Sequence, residues 1–422
     1  MKNNEIVSKI NEYMTRYVEL WDFSGSVLVA KEGEVLFKKG YGYANIEHKI
    51  PNRPETKFRI WSITKQFTAV AILLLEEKGL IDVKDSIKKY FPEYPEFDER
   101  ITIHHLLTHT SGIFNYSNVS DIHKRLHKLP LTHDEVIGLF KDRALEFQPG
   151  EGWDYSNSGY HLLGLIIEKV SGKTYSEFLK ENIFDPIGMK NSGVDDNRTI
   201  LPNMATGYYL NDDRLIHCEY VDMNIVFSSG AMYSTVQDMY LWDQALLSEK
   251  LIKKESFERM NTPYKDGYGY GVFVDDKYGR RNVNHGGGCE GFLTELHRYI
   301  DDKVSIVVLS NYGFTAVWKL SGVMAAIVFD EAYELPKMLE EYELDSKIYE
   351  EYMGVYKGKS CKLTVTREGN KRFFVIDDEY IIPFYPISET RFFHTWIDEA
   401  YEFTKDEKGK LSFWGLPKVE QD

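Results

Sequence analysis

From Ser62 to Lys78 the chain reads Ser-Ile-Thr-Lys-Gln-Phe-Thr-Ala-Val-Ala-Ile-Leu-Leu-Leu-Glu-Glu-Lys, closed by Gly79. The segment has the length and composition of a helix, ends on a glycine stop, and is apolar nearly all round. A helix without a polar face has no place on a surface. It must be wrapped by other elements, so the fold needs a central buried helix with layers around it. The 422 residues exceed what one hydrophobic core usually serves, which predicts a large main domain with a second unit attached.

The wrapping elements are readable in outline. Ile6, Ile10, Tyr13 and Val18 suit an amphipathic first helix. Gly25 to Ala30 and Glu34 to Tyr43 give a hairpin signal around Lys31-Glu32-Gly33. From about 81 to 216 the chain reads as helical pieces punctuated by Pro92, Pro95, Pro149 and Pro186, among them Val136 to Phe140 and His161 to Val170. Strand-like runs return at Tyr268 to Val274, Arg281 to Asn284, Gly291 to Tyr299 and Val304 to Ser310, before an apolar helix at Val317 to Phe329. Strands near both ends of this stretch predict one antiparallel sheet assembled from both termini and covered by helices.

Beyond Pro336, Cys361, Leu363 and Val365 alternate with polar residues, and short runs follow at Phe373 to Ile376, Tyr380 to Tyr385, Phe392 to Trp396 and Tyr401 to Thr404. The expected class is therefore α+β. Residues 1–335 form an antiparallel sheet flanked by helices, with a helical subdomain at about 81–216. Residues 345–422 form a small C-terminal antiparallel β domain.

Charge and composition exclude several functions. A formal charge of −15, from 51 Lys and Arg against 66 Asp and Glu, repels phosphate backbones, so nucleic acid is not an expected partner. Lys2, Glu5, Lys9, Glu12, Arg16 and Glu19 leave no apolar core for a signal peptide. No apolar run approaches the roughly 18–20 residues of a membrane span, and a cytoplasmic location is expected. Cys218, Cys289 and Cys361 stand far apart without a CxxC and read as free thiols. His105 and His109 are at metal-binding spacing but lack a carboxylate partner. Neither a metal nor a cofactor is expected.

Three segments carry chemistry. Ser62 and Lys65 stand three apart on one helix face, where a desolvated lysine can take the hydroxyl proton and the helix N-terminus can orient the Ser62 N–H toward an oxyanion. The plain alternative is an N-cap serine followed by a solvated lysine. Pro149 to Tyr160 is a turn-rich loop offering the Tyr155 phenol for proton relay and the Asn157 amide for Lys65 or a substrate carbonyl; both residues also suit a simple turn. In Asn284-His285-Gly286-Gly287-Gly288-Cys289-Glu290-Gly291, three consecutive glycines make a poor strand interior and imply close approach of a ligand or another backbone. His285 there also reads as a structural histidine.

Taken in order, Ser62-Ile-Thr-Lys65, Tyr155-Ser-Asn157 and His285-Gly-Gly287 resemble the three motifs of class C β-lactamases, D-alanyl-D-alanine carboxypeptidases and related esterases and D-aminopeptidases. Leu106 to Gly112 and Phe227 to Trp242 match the same family, so the resemblance spans roughly residues 20–330. It implies a β-lactamase/transpeptidase-like fold and a serine acyl-enzyme. Ser62 is then the nucleophile, Lys65 and Tyr155 a coupled base and acid, and Asn157 orients Lys65 or the acyl amide. The N–H of Gly288 joins that of Ser62 as the oxyanion hole, and His285 and Gly287 belong to the substrate-binding strand.

One departure matters. β-Lactam-directed relatives usually carry Lys-Thr-Gly where this chain has His285-Gly286-Gly287, so the cation and hydroxyl that grip a substrate carboxylate are missing. Lys and Arg residues close in sequence, such as Arg298, could replace them from a neighbouring strand or loop. The expected activity is a cofactor-independent hydrolase of a small ester, amide or short peptide, including substrates with a D-residue. A β-lactamase or D,D-carboxypeptidase is the alternative enzyme, and a non-catalytic penicillin-binding-like ligand binder the alternative of another class.

Overall fold

The computed structural model describes residues 2–119, 122, 125–211, 214–358, 362–369, 371–376, 380–394, 398 and 400–419. The expected thiol Cys361 and the end of the expected run Phe392 to Trp396 lie outside them. Six antiparallel strands form the main sheet, in the order Phe273–Lys277, Arg280–Cys289, Phe292–Tyr299, Val304–Ser310, Gly25–Lys31, Glu34–Tyr41. The N-terminal hairpin joins the late strands through Val27 opposite Val308, which is the assembly from both termini that the sequence predicts.

Alternation along the strands divides the sheet into two apolar faces. Val27, Val29, Ile306 and Val308 pack under the helices Asn3–Trp21 and Val317–Phe329. Leu28, Leu296, Val307 and Leu309, on the other face, join the core that holds the helix Thr64–Glu77, with the helix Val236–Leu247 packed on the sheet itself. Every residue from Trp61 to Leu75 is buried except Ser62, so the all-apolar segment is indeed central. The α-helix begins later than expected: Ser62 lies in a 3-10 turn, Trp61–Ile63, ahead of Thr64.

The region expected as helical contains short helices and the longer Asn157–Ser171. It ends in a hairpin, Tyr208–Asn211 with Arg214–His217, whose strands do not alternate apolar with polar residues and so leave no periodic signal. The strand Arg280–Cys289 runs unbroken through its three glycines. It pairs residue for residue with Phe292–Tyr299 from Asn282 to Cys289, so the backbone ladder sustains it where side-chain packing cannot.

Beyond the helix Ser346–Tyr352, eight antiparallel strands follow in sequence order from Gly354–Lys357 to Leu416–Pro417. Tyr356 bridges to Lys418, and Val419 N–H donates to Val355 O at 2.7 Å, which brings the last strand back to the first as a barrel. Its interior is filled by stacked aromatics, with Phe403 4.2 Å from Tyr352 and 4.1 Å from Phe413 between ring centroids. Small closed barrels of this kind are packed cores rather than channels.

The barrel also contributes to the main core. Phe393 is buried with its ring 5.2 Å from that of Trp21, and Lys319 Nζ pairs with Asp398 at 2.8 Å. A chain ending at Glu340 is therefore expected to lose about 3–5 kcal/mol from the missing phenylalanine alone, read as a lower midpoint in denaturant. It is expected to keep turnover of a small nitrophenyl ester, because none of the three motifs lies beyond Glu340. A folded but inactive truncation would show that the barrel completes the site.

Candidate active site

The turn that carries Ser62 is held from both sides. Phe58–Arg59 pairs with Met232–Ser234, and Ile60 N–H donates to Met232 O at 2.9 Å. Trp61 then takes a φ of +46° with its ring buried, a left-handed value that an aromatic residue keeps only when its surroundings over-determine it. Ser62 follows as the one half-buried side chain of the segment.

One turn along, Lys65 is wholly buried. Its Nζ lies 3.1 Å from Ser62 Oγ and donates to Asn157 Oδ1 and to the Ser229 carbonyl, each at 2.8 Å. It also sits over the rings of Tyr155 and Tyr160, 4.7 and 5.5 Å from their centroids. Burial holds its pKa well below the usual lysine range, with no carboxylate to offset the desolvation. The solvated-lysine alternative is thereby excluded.

The loop before the helix Asn157–Ser171 is fixed by its backbone. Asn115 Nδ2 donates to Tyr155 O at 3.0 Å, Ser156 N–H donates to His109 Nδ1 at 3.0 Å, and Ser156 Oγ caps the helix by accepting from Gly159 N–H at 3.3 Å. Asn157 thus becomes the first helical residue, with Oδ1 on Lys65 and Nδ2 donating to Ser117 Oγ at 2.8 Å. The Tyr155 ring rests on His109, centroids 4.4 Å apart. Its hydroxyl is buried without a well-formed hydrogen bond. Burial raises its pKa, and the nearby Ser62 hydroxyl pulls the other way.

The glycine strand closes the arrangement. A Cβ on Gly287 would lie 2.1 Å from Ile60 O, so only glycine lets this strand edge meet the turn before Ser62. Thr294 Oγ1 sits 3.1 Å from the Ile60 and Gly287 carbonyls and ties the two together. Gly288 follows on the same edge. The close approach inferred from the glycines is thus made by the protein's own backbone. His285 is buried, with Nδ1 2.6 Å from Gly286 O and Nε2 3.1 Å from Tyr268 Oη. A neutral ring satisfies both by donating from Nδ1 and accepting at Nε2. Desolvation first, and the Lys65 charge second, push its pKa down to about 3. Arg298 is no substitute anchor: it is fully buried, and its Nε donates to Asp243 at 2.7 Å.

Ser62, Lys65, Tyr155, Asn157, His285, Gly287 and Gly288 therefore converge on one place. Sequence reasoning missed the Ser229 carbonyl, Ser117, His109 and Tyr268. Ser229 and His109 lie in the two family-like stretches quoted without a role, so a signal existed for them. His105 Nδ1 accepts from Thr102 N–H at 3.2 Å, and His109 Nδ1 from Ser156 N–H at 3.0 Å.

A serine set against a buried lysine and a tyrosine, at the edge of a helix-wrapped antiparallel sheet, places the chain among the β-lactamase-like serine hydrolases. The chain belongs to the β-lactamase family, which it matches over residues 14–317. It is 33% identical to penicillin-binding protein 4* of Bacillus subtilis (strain 168) over 94% of this chain and 93% of that one. It is 26% identical to a D-aminopeptidase of Gluconobacter oxydans (strain 621H), covering 85% of this chain and 68% of the relative. Among solved structures it resembles the octameric penicillin-binding protein homologue from Pyrococcus abyssi, with a TM-score of 0.70 and 28% identity over 98% of this chain and all of the other.

Proposed function

We propose that the chain hydrolyses a small ester or amide, including acyl groups with a D-residue, through an acyl-enzyme on Ser62. The observation that carries this reading is the environment of Lys65 Nζ. A neutral amine has two N–H groups and one lone pair. The two oxygens at 2.8 Å take the N–H groups, which leaves the lone pair for the Ser62 hydroxyl 3.1 Å away.

In this reading Ser62 O–H passes its proton to Lys65 as Oγ adds to the substrate carbonyl. The N–H groups of Ser62 and Gly288 stabilise the oxyanion. Tyr155, whose raised pKa keeps it a phenol, relays the proton to the leaving group, and water then releases the acyl group by the reverse route. With both ends of its amide engaged, Asn157 is better suited to orienting Lys65 than to holding an acyl amide. The likeness to a D-aminopeptidase supports D-configured substrates.

The glycine strand and its neighbour support a substrate without a carboxylate beside the scissile bond. His285 stays neutral with both ring nitrogens engaged, Gly286 has no hydroxyl, and Arg298 is locked inside, so none of the three grips a carboxylate. A charge-assisted contact contributes about 1.5–3 kcal/mol, which is about tenfold to a hundredfold in rate. A neutral nitrophenyl ester is expected to exceed nitrocefin in kcat/KM by that factor, and His285→Lys with Gly286→Thr to narrow the gap. A wild-type preference for nitrocefin would instead favour the β-lactamase or D,D-carboxypeptidase reading.

A further inference from the structure

Phe227 has φ 34° and ψ −126°, a break inside the helical segment Met223–Gly230. These angles resemble those of the first central residue of a type II′ turn, a place glycine takes by default. A buried phenylalanine occupies it here. Its ring is wedged between His133, His161 and Tyr175, with centroids at 4.5, 5.2 and 5.2 Å. Strain of this kind persists only where packing over-determines it, and it concentrates at functional sites.

The two residues after the break aim their carbonyls at the first turns of the central helix. Ser228 O accepts from Thr68 Oγ1 at 2.7 Å, and Ser229 O accepts from Lys65 Nζ at 2.8 Å. The break fits against the helix Asn157–Ser171 only because residue 164 is glycine. A Cβ there would lie 2.1 Å from Ser228 Oγ and 2.5 Å from Phe227 Cε1.

We propose that Phe227 is a positioning residue: its wedged ring holds the strained backbone that turns the Ser229 carbonyl onto Lys65 and so directs the lysine lone pair to Ser62. The inference rests on the reading of Lys65 as the base. The carbonyl favours the ammonium form, so its withdrawal lowers the Lys65 pKa further. The other groups near that amine are the rings of Tyr155 and Tyr160 and the imidazoles of His109 and His285. A loss of general stability would not move this pKa.

The test compares Phe227→Ala, Phe227→Gly and Gly164→Ala on a neutral nitrophenyl ester, with rates normalised to fluorophosphonate-titrated sites. Phe227→Ala, which removes the wedge but keeps a Cβ at positive φ, is expected to lower kcat by about tenfold or more with KM within about twofold. Gly164→Ala pushes on the break from the other side and is expected to do the same. In both, the acid limb of the pH profile moves to lower pH. Phe227→Gly, which adopts the break without strain, is expected to recover most of the kcat. The inference is overturned if Phe227→Ala and Gly164→Ala keep the wild-type kcat and acid limb, or if Phe227→Gly falls as far as Phe227→Ala. Should Phe227→Ala not fold, Gly164→Ala and Phe227→Gly decide alone. Turnover that survives Lys65→Met would refute the base itself; a dead Lys65→Met beside unaltered Phe227 and Gly164 variants refutes only the positioning role.

Discussion

Ser62→Ala is expected to abolish covalent labelling by a fluorophosphonate and to lower kcat by on the order of a millionfold, the scale seen when a serine hydrolase loses its nucleophile. The substitution removes one oxygen from a half-buried position, so thermal unfolding should scarcely change. That separates a chemical loss from a structural one. The check is intact-protein mass after exposure to the probe: wild type gains one label per chain, and the variant gains none. A labelled Ser62→Ala chain would mean that another hydroxyl is the nucleophile.

Lys65→Met is expected to cost nearly as much, since groups that act as a unit fail together. Methionine nearly matches the lysine stem in length and is apolar, so the pocket stays filled. The lone pair is gone and the Asn157 and Ser229 oxygens lose their donor. Stability gives an independent readout with a definite sign. Burial lowers the folded-state pKa of Lys65 below the usual 10.5, so between those values the unfolded chain binds more protons, and wild-type stability rises with pH. Lys65→Met lacks this dependence. Wild type should therefore gain stability relative to the variant as pH rises toward 10.5, in denaturant melts at a series of pH values. Parallel curves would mean that Lys65 is not desolvated. For the same reason kcat/KM of wild type should fall as acid protonates Lys65, and the variant's residual rate should lack that limb.

The family-like motifs were legible because their chemistry depends on residue type at short spacing. Lys65 follows Ser62 by one turn, across the 3-10 turn that leads into the helix, and Tyr155 and Asn157 flank a helix start, so short spacing keeps the members of each pair close. The role of the acceptor on Lys65 was not legible, although Ser229 lies in one of the family-like stretches. Ser229 contributes its backbone carbonyl, which every residue possesses, from a position 164 residues away. Likewise the glycine strand announced a close approach, but only the fold shows that Ile60 O makes it. The hairpin Tyr208–Asn211 with Arg214–His217 was missed because neither strand alternates apolar with polar residues, and Arg214–His217 is exposed along its whole length.

By itself the sequence determined that a central apolar helix must be wrapped, that a sheet forms from both ends of the main domain, and that a serine and a lysine stand three residues apart where that helix begins. Those outcomes follow from hydrophobic periodicity and helix pitch, which act over a few residues. Only the tertiary structure decided that Lys65 loses all contact with water, that His285 is spent on Gly286 and Tyr268, and that Arg298 is turned inward to Asp243. Desolvation, and the choice of partner for each buried polar group, depend on which distant segments pack together. No local pattern encodes that.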